Sequence, residues 1–378
     1  MTNRSIVAPI HNSIFCIVAF LATIAANNIF ILDYVLEDSI SFTELHKIEF
    51  IQICGYITAI IMIMFFNNIY NSNMVITYNA CLYWFCVLNV IIFGIFQASI
   101  FWYFCITFSG AIITISLIFR YVMHIRENND LYITYAYFLS ILSIGITLAI
   151  IKYFTLESYK AVIVLNLLSL WLLIQNTARY TSQKENDIDH HSISKIVPHI
   201  GVESFIGFVI VYVTVMKLDG YEIYIQSSSI NTEYIVMLGL AILFPIVSII
   251  LMKKKYYNKN QITTYSIVSL MLLVVSLPYF EQYTILAILE RILFFTCLHA
   301  LFLNTIFIVI EKFEERDLFT TLLIFALSCG FGYYSAYLTI YSIPDSFSTR
   351  SFLICIVLML SSSLAYHIYS ESRKDQNM

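Results

Sequence analysis

Apolar residues in this chain come in blocks of about twenty, separated by short polar breaks, and about twelve such blocks follow one another from end to end. A helix needs roughly 20 apolar residues to cross a hydrocarbon core of about 30 Å, so the pattern predicts an all-α polytopic membrane protein. The predicted helices cover 13–33, 48–68, 74–96, 98–119, 131–151, 159–178, 199–217, 232–252, 262–280, 284–310, 318–341 and 351–369. A polar, charge-rich stretch from Arg179 to Pro198 divides them six and six. The narrowest break lies between the third and fourth helices, where Phe96 to Phe101 contains only Gln97 and Ser99 as polar residues. Joining those two helices would make the count odd and move every later loop to the other side.

Composition strengthens this picture. Of the 378 residues 60% are hydrophobic and 12% charged, with a mean hydropathy of +0.82, whereas soluble domains carry about 25% charged residues. The net charge is -4 and no basic tract for nucleic acid is present. All eight cysteines (Cys16, Cys54, Cys81, Cys86, Cys105, Cys297, Cys329 and Cys355) fall inside apolar runs. Cysteine placed this way behaves as a small hydrophobe, so neither a disulfide framework nor a metal site is expected. No cofactor and no cleavable signal peptide are expected either.

Loop charge sets the orientation, because Lys and Arg accumulate on the cytoplasmic side. With twelve spans and both ends inside, the cytoplasmic set is Arg4, Arg120, Arg126, Arg179, Lys184, Lys195, Lys253, Lys254, Lys255, Lys259, Lys312, Arg316, Arg373 and Lys374. The outer side receives Lys47, Lys152, Lys160, Lys217 and Arg350, and Arg291 is left within a span. The excess favours an even count with both termini cytoplasmic. The outer loops 34–47 and 218–231 are both acidic and follow the first and seventh spans, an echo expected of two related halves. The predicted organisation is therefore a six-helix half over 1–178, a cytoplasmic linker over 179–198 and a second six-helix half over 199–378. His190 and His191 sit in the linker and read as solvated surface.

Six spans, a cytoplasmic linker, six spans and both ends inside is a layout that resembles the major facilitator superfamily. The resemblance covers the whole chain but is carried by layout. Where that family has a Gly, Asp and Arg-rich turn between its second and third spans, this chain reads NNIYNSN, Asn67 to Asn73, with no Arg. The fourth span lacks the Arg of proton-coupled members, and the fifth has Gly145 without the Gly-Pro pair of drug antiporters. The resemblance implies two pseudosymmetric six-helix bundles with a central cavity and transport by alternating access. The first, fourth, seventh and tenth helices would line that cavity.

Ionisable residues inside a membrane cost at least about 2.5 to 3.5 kcal/mol on insertion scales, so they default to functional hypotheses. The tenth span concentrates them: Glu290, Arg291 and His299, with Asn304 further in. At about 100° per residue Glu290 and Asn304 share a face with Cys297, while Arg291 and His299 lie on a neighbouring sector. Two readings are open. Arg291 binds an anionic substrate group, Glu290 couples protons and His299 and Asn304 supply polar contacts; or the charges neutralise one another within helix packing. In the first span Asn28, beside Asn27, is a further substrate-contact candidate, against the alternative of interhelical hydrogen bonding. Asn79, Asn89, Asn166, Gln175 and Glu203 are other deep polar groups, and Asp33 marks the outer end of the first span.

No Gly-rich phosphate loop, nucleophile elbow or HExxH is present, so an enzyme is not expected. The leading expectation is a monomeric secondary transporter in the cytoplasmic (inner) membrane that moves a small organic solute, with the lipid bilayer as its other partner. The alternatives are a flippase or polymerase of lipid-linked surface polysaccharide, or a degenerate relative that binds without transporting. Short acidic outer loops weigh against the polymerase.

Overall fold

A computed structural model describes residues 42–66, 72–93, 100–125, 158–179 and 259–280, with further positions within 19–23, 285–304, 321–334 and 354–369. In chain order the helices are α1 (Phe42–Phe65), α2 (Asn73–Phe93), α3 (Ile100–Ile125), α4 (Ser158–Arg179) and α5 (Lys259–Phe280), followed by a shorter apolar helix, α6 (Thr321–Gly332). Among the described residues three stretches are long and apolar enough to cross a membrane: Lys47–Phe65, Asn73–Phe93 and Ile100–Arg120. The fifth, seventh and eighth predicted spans lie outside the described residues.

These helices are rich in Ile, Val, Phe and Tyr, residues that favour strands in water. Lipid offers no partner for a backbone N–H or C=O, so an isolated spanning segment has to close its own hydrogen bonds as a helix. Polar side chains within the spans follow the same rule. The hydroxyls of Thr58, Thr77, Thr107 and Thr114 each donate to the carbonyl four residues earlier, at 2.7, 2.9, 3.1 and 2.8 Å.

α2 and α3 are distinct helices, the first ending at Phe93 and the second beginning at Ile100. They pack against each other and run antiparallel. Val90 near the end of α2 shares a core with Tyr103 near the start of α3, whereas Tyr83, earlier on α2, lies against Gly110, later on α3. The narrow break around Gln97 thus separates two spans, and the third and fourth are not one helix. α1 and α3 instead run parallel: Ile48 packs with Tyr103, and Ala59, Ile60 and Ile63 pack with Ala111, Ile112 and Phe119. Gly55 allows this approach, since a Cβ there would stand 2.7 Å from the carbonyl oxygen of Phe104. Small residues at such crossings let helices gain van der Waals contact where lipid supplies no hydrophobic drive between them.

Two helix boundaries differ most from the apolar pattern. α1 begins at Phe42 instead of 48 and α3 continues to Ile125 instead of 119. The hydrogen-bond ladder does not stop where the hydrocarbon does, so charged residues extend each helix into the interface. Glu44 and Lys47, expected in an outer loop, therefore lie on α1.

α2 shows which surface meets lipid. Ile76, Ala80, Tyr83, Val87 and Val90 form its buried face at alternating spacings of four and three, while Met74, Tyr78, Phe85 and Ile92 on the other side are exposed. A helix apolar on both faces but packed on one has hydrocarbon as its second partner. The chain divides into two compact units, one of residues 1–191 with 314–327 and the other of 192–313 with 328–378. Residues 314–327 thus join the first unit, where the hydroxyl of Tyr56 donates to the carbonyl of Ala326 at 3.2 Å.

Candidate functional site

The tenth predicted span is helical at each described position. Its N-terminal half exposes Ile285, Leu286, Leu289 and Leu293 but buries Ile292 and Phe294, whereas Thr296, Leu301 and Asn304 later in the span are buried. The C-terminal half packs along α5 through polar contacts. The amide of Asn304, 1% exposed, donates to the hydroxyl of Thr263 at 2.7 Å, and the Cys297 thiol lies beside the Ser269 side chain. Cys297 and Asn304 are seven residues apart, so they repeat on one helix face, as the sequence predicts. That face meets α5 at both points. Thr296, one residue away, turns its hydroxyl back to the carbonyl of Ile292 at 2.6 Å.

Glu290, Arg291, His299 and Asn28 lie outside the described residues. Leu289 and Ile292, which flank the Glu290–Arg291 pair, are 50% and 9% exposed. Asn27, Asp33, Glu203, His190 and His191 are likewise outside. In the first span Phe20 and Thr23 are buried. Phe20 stacks at a tilt on Tyr83 of α2, with ring centroids 5.3 Å apart. The Thr23 hydroxyl is shared between the carbonyls of Ala19 and of Leu165 on α4, at 2.8 and 3.1 Å.

Of the other deep polar groups, Asn79 and Asn89 donate to the carbonyls of Val75 and Phe85, four residues back on the same helix, both at 2.8 Å. Their burial in lipid is thereby satisfied locally. Asn166 is buried and Gln175 exposed. Among the described residues no group of three or more His, Cys, Asp or Glu side chains comes together.

One residue went unrecognised in the sequence. Arg120 sits five residues inside the C-terminal end of α3 and is only 3% exposed, although its position just past the apolar run places it among the cytoplasmic loop cations. It shares a stripe with Ser109, Ile113 and Ser116, all fully buried and within about 60° of one another around the helix. The hydroxyls of Ser109 and Ser116 have no hydrogen-bond partner among the described residues. The available signal was phase: positions 109, 116 and 120 are spaced as one helical face, visible once the helix is carried past 119.

No family model matches the chain. It is 29% identical over 196 residues to the uncharacterized protein RP255 of Rickettsia prowazekii (strain Madrid E), a match that covers 50% of each sequence, so the chain spans about half the length of this curated relative. Among solved structures it is similar to a bacterial homologue of the iron transporter ferroportin in an outward-facing state, with a TM-score of 0.70, 10% identity, and 96% of this chain and 99% of that chain covered. It is also similar to an auto-inhibited peptide transporter of the POT family, with a TM-score of 0.62, 10% identity and 96% of both chains covered. The chain therefore has the helical fold of membrane transporters across nearly its full length.

Proposed function

We propose that the protein is a secondary active transporter that moves a small organic solute across the cytoplasmic membrane by alternating access, with both termini in the cytoplasm. The observation that carries this reading is the match of 96% of the chain to 99% of a transporter solved in an outward-facing state, at a TM-score of 0.70. A second transporter of different cargo shares the fold over the same extent, which supports transport as the activity and leaves the substrate to side-chain chemistry. The layout of two six-helix bundles around the 179–198 linker belongs to the same proposal, as does membership of the major facilitator superfamily.

The substrate contacts proposed are Arg291, His299, Asn28 and Asn304, with Glu290 as the proton-coupling carboxylate. Support comes from their position in the sequence, since Glu290 and Arg291 both fall within an apolar run long enough to span the bilayer. A carboxylate and a guanidinium at that depth are tolerable beside water and costly beside lipid. Asn304 bonds Thr263 through its amide nitrogen, which fixes the side chain at the α5 contact.

The test is uptake by proteoliposomes of a panel of radiolabelled organic acids, amino acids and sugars, with wild type, Glu290→Gln and Arg291→Ala compared. Saturable uptake that falls in both variants supports the assignment. Uptake unchanged in both removes the site, and no uptake or counterflow of any panel member removes the transporter reading.

A further inference from the structure

We infer that Ser116 and Arg120, at the C-terminal end of the buried polar stripe of α3 that Ser109 also shares, form a recognition site for an anionic group, a carboxylate or a phosphate, inside the first compact unit. The fourth span was expected to line the cavity, although none of its residues was singled out as a substrate contact. Instead its most buried stripe is also a polar one: Ser109 and Ser116 are 0% exposed and Arg120 3%, while Ile118, on the opposite side of the helix from Ser109, is exposed. α3 packs on α1 through Ile112 and Phe119 and on α2 through Gly110. The Ser109–Arg120 stripe falls between these two packed sectors, so the polar groups point inward and away from lipid.

Fully buried hydroxyls normally find an acceptor or donor. Threonines on the same helix do so, since Thr107 and Thr114 bond carbonyls one turn back. Ser109 and Ser116 do not, which leaves two O–H donors aligned with a guanidinium. Ser109 to Ser116 spans about 10 Å along the axis and Ser116 to Arg120 about 6 Å. Helical side chains lean toward the N-terminus, which carries the Arg120 head group back towards Ser116. A guanidinium has five N–H donors, enough to keep an intramolecular acceptor and also grip an anion in bidentate fashion. The donor set is cationic and hydroxylic at the C-terminal end of the helix, chemistry that suits carboxylate or phosphate. The binding stands on its own; its use as a substrate contact rests on the transporter reading.

Purified full-length protein in detergent is titrated with sodium succinate, with sodium phosphate and with dispersed phosphatidylglycerol, at ionic strength held constant with sodium chloride, while thermal unfolding is followed. A saturable rise in melting temperature is expected, with apparent affinity about 10-fold weaker in Ser116→Ala and lost in Arg120→Gln. Ser116→Ala removes an unbonded hydroxyl and should fold normally, so it carries the test if Arg120→Gln does not fold. A rise with succinate or phosphate identifies a soluble anion, and a variant-sensitive rise with phosphatidylglycerol alone assigns the site to a lipid phosphate. No rise in wild type, or an undiminished rise in Ser116→Ala, overturns the inference. A shift that persists while [14C]succinate and labelled phosphate show no counterflow removes these anions as cargo and leaves the site; counterflow without any shift removes the site and leaves transport.

Discussion

The side-chain amide of Asn304 donates a 2.7 Å hydrogen bond to the hydroxyl of Thr263, and both groups are sealed from solvent. The bond joins the tenth span to α5. Interhelical hydrogen bonds in membrane proteins average about 0.6 kcal/mol and reach about 1.7, so Thr263→Val should lower stability by about that much. Pairing it with Asn304→Leu should recover part of the loss, because the stranded amide is then gone. Thermal unfolding of the two single variants and the double variant measures the coupling. Where Asn304 also touches substrate, Thr263→Val raises KM; where it only holds helices together, stability falls and KM stays.

Gly55 should resist any side chain. A Cβ at that position would lie 2.7 Å from the Phe104 carbonyl oxygen and 3.3 Å from the Phe108 nitrogen, and backbone cannot rotate aside. Gly55→Ala forces α1 and α3 apart and should cost about 1–3 kcal/mol. Gly110→Ala meets the Tyr83 ring edge at 3.3 Å, a side chain able to give by a few tenths of an ångström, so its loss should be smaller. The ranking of melting temperatures, wild type above Gly110→Ala above Gly55→Ala, checks the geometry.

Phe85 is exposed near the middle of α2, in the stripe assigned to lipid. Phe85→Arg should cost about 2.5–3.5 kcal/mol in apparent insertion free energy, seen as a fall in the membrane-inserted fraction of an α2 reporter fusion. Equal insertion of wild type and variant would show that this face meets water or protein.

The proton coupling proposed for Glu290 is tested by separating accumulation from exchange. An inward proton gradient should drive uptake into proteoliposomes by the wild type, and Glu290→Gln should abolish that gradient dependence while counterflow at equal pH persists. Loss of both would mark Glu290 as necessary for the conformational cycle or for folding, which size-exclusion behaviour and melting temperature separate.

Much of the membrane architecture was legible because the bilayer imposes a length and a polarity on each crossing segment. The spans at 48–68, 74–96 and 98–119 reappear as apolar helices, within a few residues at most ends. The helix ends at Phe42 and Ile125 were not legible, since hydropathy reports where lipid stops and not where the backbone ladder stops. Arg120 shows the consequence: at the edge of an apolar run it looks like a loop cation, yet α3 continues and buries it. Asn79 and Asn89 show the converse, because a deep amide looks functional until its bond to the carbonyl four residues back is seen.

The sequence by itself determined that the chain is helical and lives in lipid, because 60% hydrophobic residues in twenty-residue blocks have no aqueous solution. Helical phase, a local property, also placed Cys297 and Asn304 on one face. Only the tertiary structure decided what that face meets, that α3 lies parallel to α1 and antiparallel to α2, and that Gly55 is a point where α1 comes close to the backbone of α3. These depend on which helices become neighbours. Nearly uniform apolar surfaces leave that choice to shape and to a few buried hydrogen bonds between residues distant in the chain, such as Asn304 with Thr263.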